Sequence, residues 1–247
     1  MDFNDEVKVM RSGIFVSGTD TDVGKSVVSA MLLYMLRENG VNACYFKAAL
    51  SGALREGEIL IPGDGRFVME FAGVKEKYGR IIPHIYETPV SPHLAGRIEG
   101  NQVSRDEVLR KYNELKETYE YILVEGAGGL IVPLNDEGYM TRDLINDLEL
   151  DVILVSRAGV GTINHTSLSM EYAKGVGINI QGVILNGYSE GNNAHVDNAE
   201  MIEKLNDTKI IMKVPELTGV DVENLEFGNL KEICIKLMSK EILEELR

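Results

Sequence analysis

The chain has 247 residues, 44% of them apolar, and a formal net charge of −14. Length and apolar content suit one domain spanning residues 1–247 with a sizeable core. The acidic balance excludes a nucleic-acid footprint and fits a soluble cytoplasmic protein, so any anionic ligand must be held by a local device. No apolar stretch approaches the roughly 20 residues of a membrane span, and Met1–Lys8 lacks a signal-peptide core. Cys44 and Cys234 fall in apolar runs and read as buried thiols, with neither a disulfide framework nor zinc spacing. His84, His93, His165 and His195 are scattered without ligand spacing.

Gly13–Ser17 reads as a buried strand and runs into Gly18-Thr19-Asp20-Thr21-Asp22-Val23-Gly24-Lys25-Ser26. This loop is one residue longer than the usual G-x-x-x-x-G-K-[ST] pattern, yet strand and helix patterns flank it where a phosphate-binding loop needs them. Glycines let successive N–H groups converge on phosphate oxygens, and a helix N-terminus adds positive charge. Lys25 would reach the outer phosphates and the Ser26 hydroxyl would ligate Mg²⁺. Val27–Leu36 is apolar nearly all round, so its helix should be deeply packed.

Ala43–Lys47 is the second strand pattern. The lysine closing it reads either as a surface residue or as an ammonium for a terminal phosphate. Asp64, in Ile61-Pro62-Gly63-Asp64-Gly65-Arg66, reads either as a helix cap or as an oxygen ligand for Mg²⁺. Ser104 with Glu107 has capping-box spacing, ahead of a helical stripe of Val108, Leu109, Tyr112 and Leu115.

The third strand, Tyr121–Val124, is followed by Glu125-Gly126-Ala127-Gly128-Gly129. A carboxylate there suits Mg²⁺, and the glycines admit a close ligand, although the cluster alone also reads as a wide turn. The fourth, Val152–Ser156, precedes Gly159 and Gly161 at a helix start. N–H groups there suit a second anion, while Thr162 and Asn164 also read as caps. The fifth, Ile180–Leu185, precedes Asn186-Gly187, an adenine-reading amide or a turn. Ile210–Val214 is the sixth strand, and Leu230, Ile233, Cys234, Leu237 and Met238 form the stripe of a last helix. Alternating strands and helices predict an α/β P-loop nucleotide-binding fold, with a mostly parallel sheet and helices on both faces. Ligands in such sheets bind beyond the strands' carboxyl ends.

Taken together, the P-loop, Lys47 with Ser51-Gly52, Pro89-Val90-Ser91-Pro92-His93, Val124 to Gly129 and Gly161-Thr162-Ile163-Asn164-His165 occur in this order. From about Gly13 to about Leu217 the chain resembles dethiobiotin synthetases, whose usual P-loop is the longer form. The resemblance implies an ATP- and Mg²⁺-dependent cyclo-ligase of biotin synthesis acting on 7,8-diaminononanoate and CO₂. It implies Lys25 and Lys47 as the catalytic cations, with Ser26, Asp64 and Glu125 on Mg²⁺. Backbone from Asp22 through Val23, Gly24, Lys25 and Ser26 to Val27 would cradle the phosphates, and Glu125 to Gly128, Asn186, Gly187 and Pro215-Glu216-Leu217 would border the nucleotide. Thr21 and Ser51 would orient the carbamate or diamine. Gly161, Thr162 and Asn164 would hold the substrate's distant carboxylate across a homodimer interface. Ala48 stands where the family usually has proline, which implies a looser loop, and the tail after Leu217 matches no family pattern. A partition- or septum-site-type ATPase is the alternative reading, but its extra lysine would stand where this chain has Asp20. A cobyrinate-type amidating synthetase needs a glutaminase domain that 247 residues cannot also house. A non-catalytic nucleotide-binding module would not need Lys47, Asp64 and Glu125 together.

Overall fold

Runs of consecutive apolar residues form strands when both faces of the sheet are covered, and all six predicted runs do so in the computed structural model, which describes residues 12–246. Met1–Lys8 lies outside the described residues. In chain order the elements begin with β1 (Gly13–Gly18), α1 (Lys25–Glu38) and β2 (Ala43–Phe46). Short pieces follow: β3 (Ala49–Leu50), β4 (Leu54–Glu56), β5 (Ile59–Ile61), α2 (Gly63–Ala72), α3 (Tyr78–Ile81) and β6 (His84–Ile85). Then come α4 (Pro92–Glu99), α5 (Arg105–Lys116), β7 (Tyr121–Glu125), α6 (Thr141–Leu148) and β8 (Val152–Arg157). The chain continues with α7 (Thr162–Gly175), β9 (Ile180–Tyr188), α8 (Asn193–Asn206) and β10 (Ile210–Pro215). It ends with β11 (Val220–Asp221), β12 (Glu226–Phe227), α9 (Leu230–Leu237) and α10 (Lys240–Leu246).

The main sheet has the order β10-β9-β8-β1-β7-β2, and every neighbouring pair is parallel. β1 therefore lies between β7 and β8, with Phe15 opposite Val124 on one side and Val152 on the other. That register sets the end of β1, where the P-loop starts, beside Glu125. Helix α1 packs against the sheet and against α2 and α9. Its Val28, Leu32, Leu33, Met35 and Leu36 are fully buried, which explains a helix apolar on every side. Each such side chain contributes roughly 1.5–3 kcal/mol of apolar burial, so this helix holds the P-loop's exit rigidly.

Several local expectations change. β9 runs through Tyr188, so Asn186 and Gly187 lie within the strand rather than in a turn after it. The Ser104 side chain accepts from the Glu107 N–H at 3.3 Å, as predicted, but the Ser104 N–H donates to His84 Nε2 at 3.1 Å. The buried histidine thus takes the bond a reciprocal capping box would have used. The final stripe breaks at Met238, where the chain leaves α9. Ala48 is buried, Lys47 N–H bonds the Ile81 carbonyl at 2.9 Å, and β3 pairs with β6 directly afterwards. Strand pairing therefore constrains this segment where the family proline would have.

Candidate active site

The P-loop is stitched to its neighbours on several sides. Gly18 N–H bonds the Gly128 carbonyl at 3.3 Å and Thr19 N–H bonds the Val155 carbonyl at 2.9 Å. The Arg157 guanidinium reaches the carbonyls of Thr21 and Asp22 at 3.4 and 3.3 Å, and Asn186 Nδ2 donates to that of Val23 at 3.0 Å. The loop's carbonyl edge is thus engaged by β8 and β9, while the N–H groups of the first turn of α1 have no intrahelical acceptor. Gly24 is required twice over. Its φ is +94°, and an added Cβ would lie 2.1 Å from Asn186 Nδ2.

Beneath the loop is an ionic cluster in which Lys47 and Glu125 are buried and Ser26 and Asp64 half-buried, at the cavity's edge. Lys47 Nζ donates to Asp64 Oδ2 at 2.5 Å and to Glu125 Oε1 at 2.8 Å, and Ser26 Oγ donates to the same Glu125 oxygen at 3.0 Å. Each comes from a different element: α1, the end of β2, the first turn of α2 and the end of β7. Asp64 is therefore not the cap of α2; the N-cap is Pro62, and the Asp64 carboxylate turns to Lys47. Burial disfavours the Lys47 ammonium, but the charges of Asp64 and Glu125 outweigh it and raise its pKa. Burial likewise opposes the Asp64 carboxylate, and the Lys47 charge reverses that and holds its pKa below the usual range. Lys25 goes the other way. Burial lowers its pKa more than the Glu125 charge raises it, with Lys47 adding repulsion. Its Nζ donates to the Asp20 carbonyl at 3.0 Å, inside the loop.

Among the described residues, Glu125 Oε2 and the Tyr45 hydroxyl have no hydrogen-bond partner of normal geometry, although the Tyr45 hydroxyl lies near enough to feel the Glu125 carboxylate. Burial, then the charges of Glu125 and Asp64, push the Tyr45 pKa well up, so the phenol stays protonated. An unpaired carboxylate oxygen in a dry site is costly unless a ligand engages it. Hard oxygens of Ser26, Asp64 and Glu125 are the donor set a magnesium ion takes, together with phosphate and water. Among the described residues the set fits that ion.

The cluster opens into a cavity of about 830 Å³. Thr21, Asp22, Gly24, Lys25, Ser26 and Val27 form its P-loop wall, and Lys47, Ser51, Asp64, Glu125, Ala127 and Gly128 the remainder of the predicted set. A second cavity of about 550 Å³ shares Asp22 and Val27 with it and is lined by Val23, Asn186 and Gly187, and by Pro215, Glu216 and Leu217. Every predicted phosphate and base residue except Gly126 thus lines one of two adjoining hollows. Gly126 instead lies buried against the Phe15 ring. Gly161, Thr162 and Asn164 line neither hollow. Gly161, not Thr162 or Asn164, is the N-cap residue of α7, and the Thr162 hydroxyl bonds Ser156 Oγ at 2.8 Å.

The structure adds residues that the sequence reading passed over. Arg157 closes β8 at the carboxyl end of the sheet, the position rule that found Lys47, so that signal was present. Val222 and Glu223 also line the larger cavity. They belong to the tail after Leu217, which matched no pattern.

The AAA domain family profile matches residues 12–224. The ATP-dependent dethiobiotin synthetase BioD of Clostridium novyi is 47% identical over 236 residues, covering 94% of this chain and 98% of its own. That of Clostridium perfringens is 38% identical over 226 residues, covering 91% and 98%. This chain belongs to the dethiobiotin synthetase family. Among solved structures, the MinC:MinD cell division complex of Aquifex aeolicus aligns with a TM-score of 0.56 at 17% identity, covering 95% of each chain. A ParA family ATPase from Chlorobium tepidum TLS aligns at 0.52 and 14% identity, covering 95% of this chain and 92% of its own. Those two likenesses establish the P-loop sheet architecture alone. In this dethiobiotin synthetase family member, the septum-site-type extra lysine is absent and Asp20 occupies its position.

Proposed function

We propose that this chain carries out the ATP- and Mg²⁺-dependent carboxylation and ring closure of 7,8-diaminononanoate to dethiobiotin. One amine adds to CO₂ and loses a proton, giving a carbamate. A carbamate oxygen attacks the γ-phosphorus of ATP, the bond to the ADP oxygen breaks, and a carbamic-phosphoric anhydride forms. The second amine then attacks the carbamate carbon. The carbon–oxygen bond to phosphate breaks, a proton is lost, and the cyclic urea and inorganic phosphate are released.

The observation that carries this reading is the placement of two ammonium groups, Lys25 and Lys47, in the wall of one cavity with Ser26, Asp64 and Glu125. Two anions must approach each other for phosphoryl transfer to occur, and fixed cations in a partly dry site offset that repulsion. The P-loop and Lys25 would bind the phosphates. Lys47 would neutralise the carbamate and the charge growing on the transferring group. Thr21 and Ser51 would orient the carbamate or diamine. When bound through Ser26, Asp64 and Glu125, Mg²⁺ would neutralise phosphate charge. The adjoining hollow at Asn186, Gly187 and Pro215 to Leu217 would take the adenine. Asn186 uses its amide nitrogen on Val23, which leaves its carbonyl oxygen as an acceptor for an exocyclic amine.

Gly161, Thr162 and Asn164 would act as the site for the substrate's distant carboxylate from a second copy of the chain, making the active form a homodimer. Exposed Val160 and Leu168 beside them suit such a seam. Among the described residues no helix is long and apolar enough to cross a membrane, and we place the enzyme in the cytoplasm. Incubation with ATP, Mg²⁺, bicarbonate and the diamine, followed by mass spectrometry, should yield the cyclic urea and one ADP per ring. ADP formation without the urea would remove the ligase reading and favour an ATPase.

A further inference from the structure

The tail following Leu217 folds into a closed loop over the site. Thr218 N–H donates to Asn229 Oδ1 at 2.9 Å, and Asn229 N–H returns a bond to the Thr218 carbonyl at 3.1 Å. Gly228 lies so close to this base that an added Cβ would meet the Thr218 carbonyl oxygen at 2.0 Å. Within the loop, β11 and β12 pair antiparallel, Val220 with Phe227 and Asp221 with Glu226. At the turn between them Asn224 N–H bonds Asp221 Oδ1 at 2.9 Å. Leu217 and Val220 face the smaller hollow, while Val222 and Glu223 face the larger one. This single loop therefore spans both.

Its far side is anchored on the helix that carries Asp64. The Phe227 ring packs on Phe67 with centroids 4.9 Å apart and on Phe71 at 5.5 Å, and Phe71 continues to Tyr34 of α1 at 5.2 Å. Asp64, Phe67 and Phe71 follow i, i+3, i+7 spacing and so share one face of α2. Tyr34 stands on the helix that begins with Lys25 and Ser26. One aromatic stack thus joins the base-side loop, the Asp64 helix and the P-loop helix.

We propose that Phe227 is a positioning residue for nucleotide binding: it seats the loop from Thr218 to Asn229 against α2, setting Val222 and Glu223 over the cavity and Asp64 beneath it in one step. This rests on the nucleotide-site reading above, but not on ring closure. Phe227 touches none of the reacting groups. It acts through the contacts it holds.

The test is ADP affinity by titration calorimetry, with and without Mg²⁺, for the unaltered chain and for Phe227→Ala, Phe227→Leu and Gly228→Ala, with melting curves to confirm folding. Phe227→Ala should weaken ADP binding about tenfold, an effect of the size that aromatic pairs carry. It should raise KM for ATP in step, with KM for the diamine unchanged. Phe227→Leu should recover most of the affinity. Gly228→Ala, which spreads the loop's base without touching the aromatic stack, should reproduce the loss. ADP affinity within twofold of the unaltered chain in Phe227→Ala or in Gly228→Ala would overturn the proposal. So would an equal rise in KM for both substrates, because that marks general loosening. A chain that binds ADP and forms no cyclic urea would fail the reaction and still report on the loop.

Discussion

Two polar clusters, each built round a buried centre, lie on either side of β1 at the carboxyl end of the sheet, and they differ in kind. Under the P-loop, Lys47, Asp64, Glu125 and Ser26 form a charged cluster in which, among the described residues, Glu125 Oε2 has no hydrogen-bond partner of normal geometry. On the other side of β1, Ser156 Oγ is the hub of a neutral cluster, contacted by Thr19 at 3.3 Å, Thr162 at 2.8 Å and Thr166 at 2.9 Å. At Ser156 the hydroxyl count closes. Thr19 and Thr166 donate to Ser156, which leaves Ser156 to donate to Thr162. A satisfied neutral network stiffens a fold, whereas a charged network with an unpaired acceptor is expensive and persists where a ligand completes it. Under the proposed function the first cluster holds the chemistry, and the second frames the P-loop, β8 and the start of α7 that carries Thr162.

Breaking the charged cluster should have the largest consequence. Lys47→Ala should leave ATP binding largely intact and reduce turnover by about 10²–10³-fold, the scale of losing one preorganised charge-stabilising donor. Steady-state kinetics beside calorimetry reads both, and normal turnover would end the proposed role. Next, Glu125→Gln keeps the side chain's shape and removes its charge. It should weaken Mg²⁺-dependent ATP binding about tenfold, corresponding to about 1.4 kcal/mol, while binding measured with EDTA changes little. Ser26→Ala should shift the same Mg²⁺ dependence by a smaller, several-fold factor, since it removes one neutral oxygen donor. Unchanged metal dependence in either variant would take that residue out of the site. Ser156→Ala sharpens the contrast from the other side. It strands hydroxyls in the neutral cluster and should lower stability by about 1–2 kcal/mol in urea unfolding, with turnover within twofold. A tenfold loss of turnover there would erase the distinction between the clusters.

Much of this arrangement was legible beforehand, for identifiable reasons. Strands covered on both faces are written as consecutive apolar residues, so all six runs were readable. Glu125 stands out because a carboxylate ending an apolar strand in a parallel sheet lies at the end where ligands bind, whereas Lys47 by itself reads more readily as a surface lysine, and only the packed structure shows it buried. Asp64 was ambiguous, because an acidic residue in a first helical turn looks the same whether it caps or faces a partner from another element. Asn186 and Gly187 read either as an adenine-reading amide or as a turn, and edge pairing with β10, which carries β9 past them, removes the turn. Ser104 matched the capping-box spacing, and a histidine 20 residues earlier took its N–H. Phe227 and Glu223 gave no local signal at all.

The linear order of residues was enough to determine the parallel sheet, the P-loop and the strand ends beside it, because periodicity and glycine placement act over a few neighbouring positions. Tertiary structure alone decided which charges meet. Lys47 Nζ lies within hydrogen-bonding distance of carboxylates 17 and 78 residues further along the chain. It likewise decided that the tail's Phe227 rests on the Asp64 helix. Contacts over such separations come from how helices and strands pack together, and packing depends on the shape and burial of the whole core rather than on any local pattern.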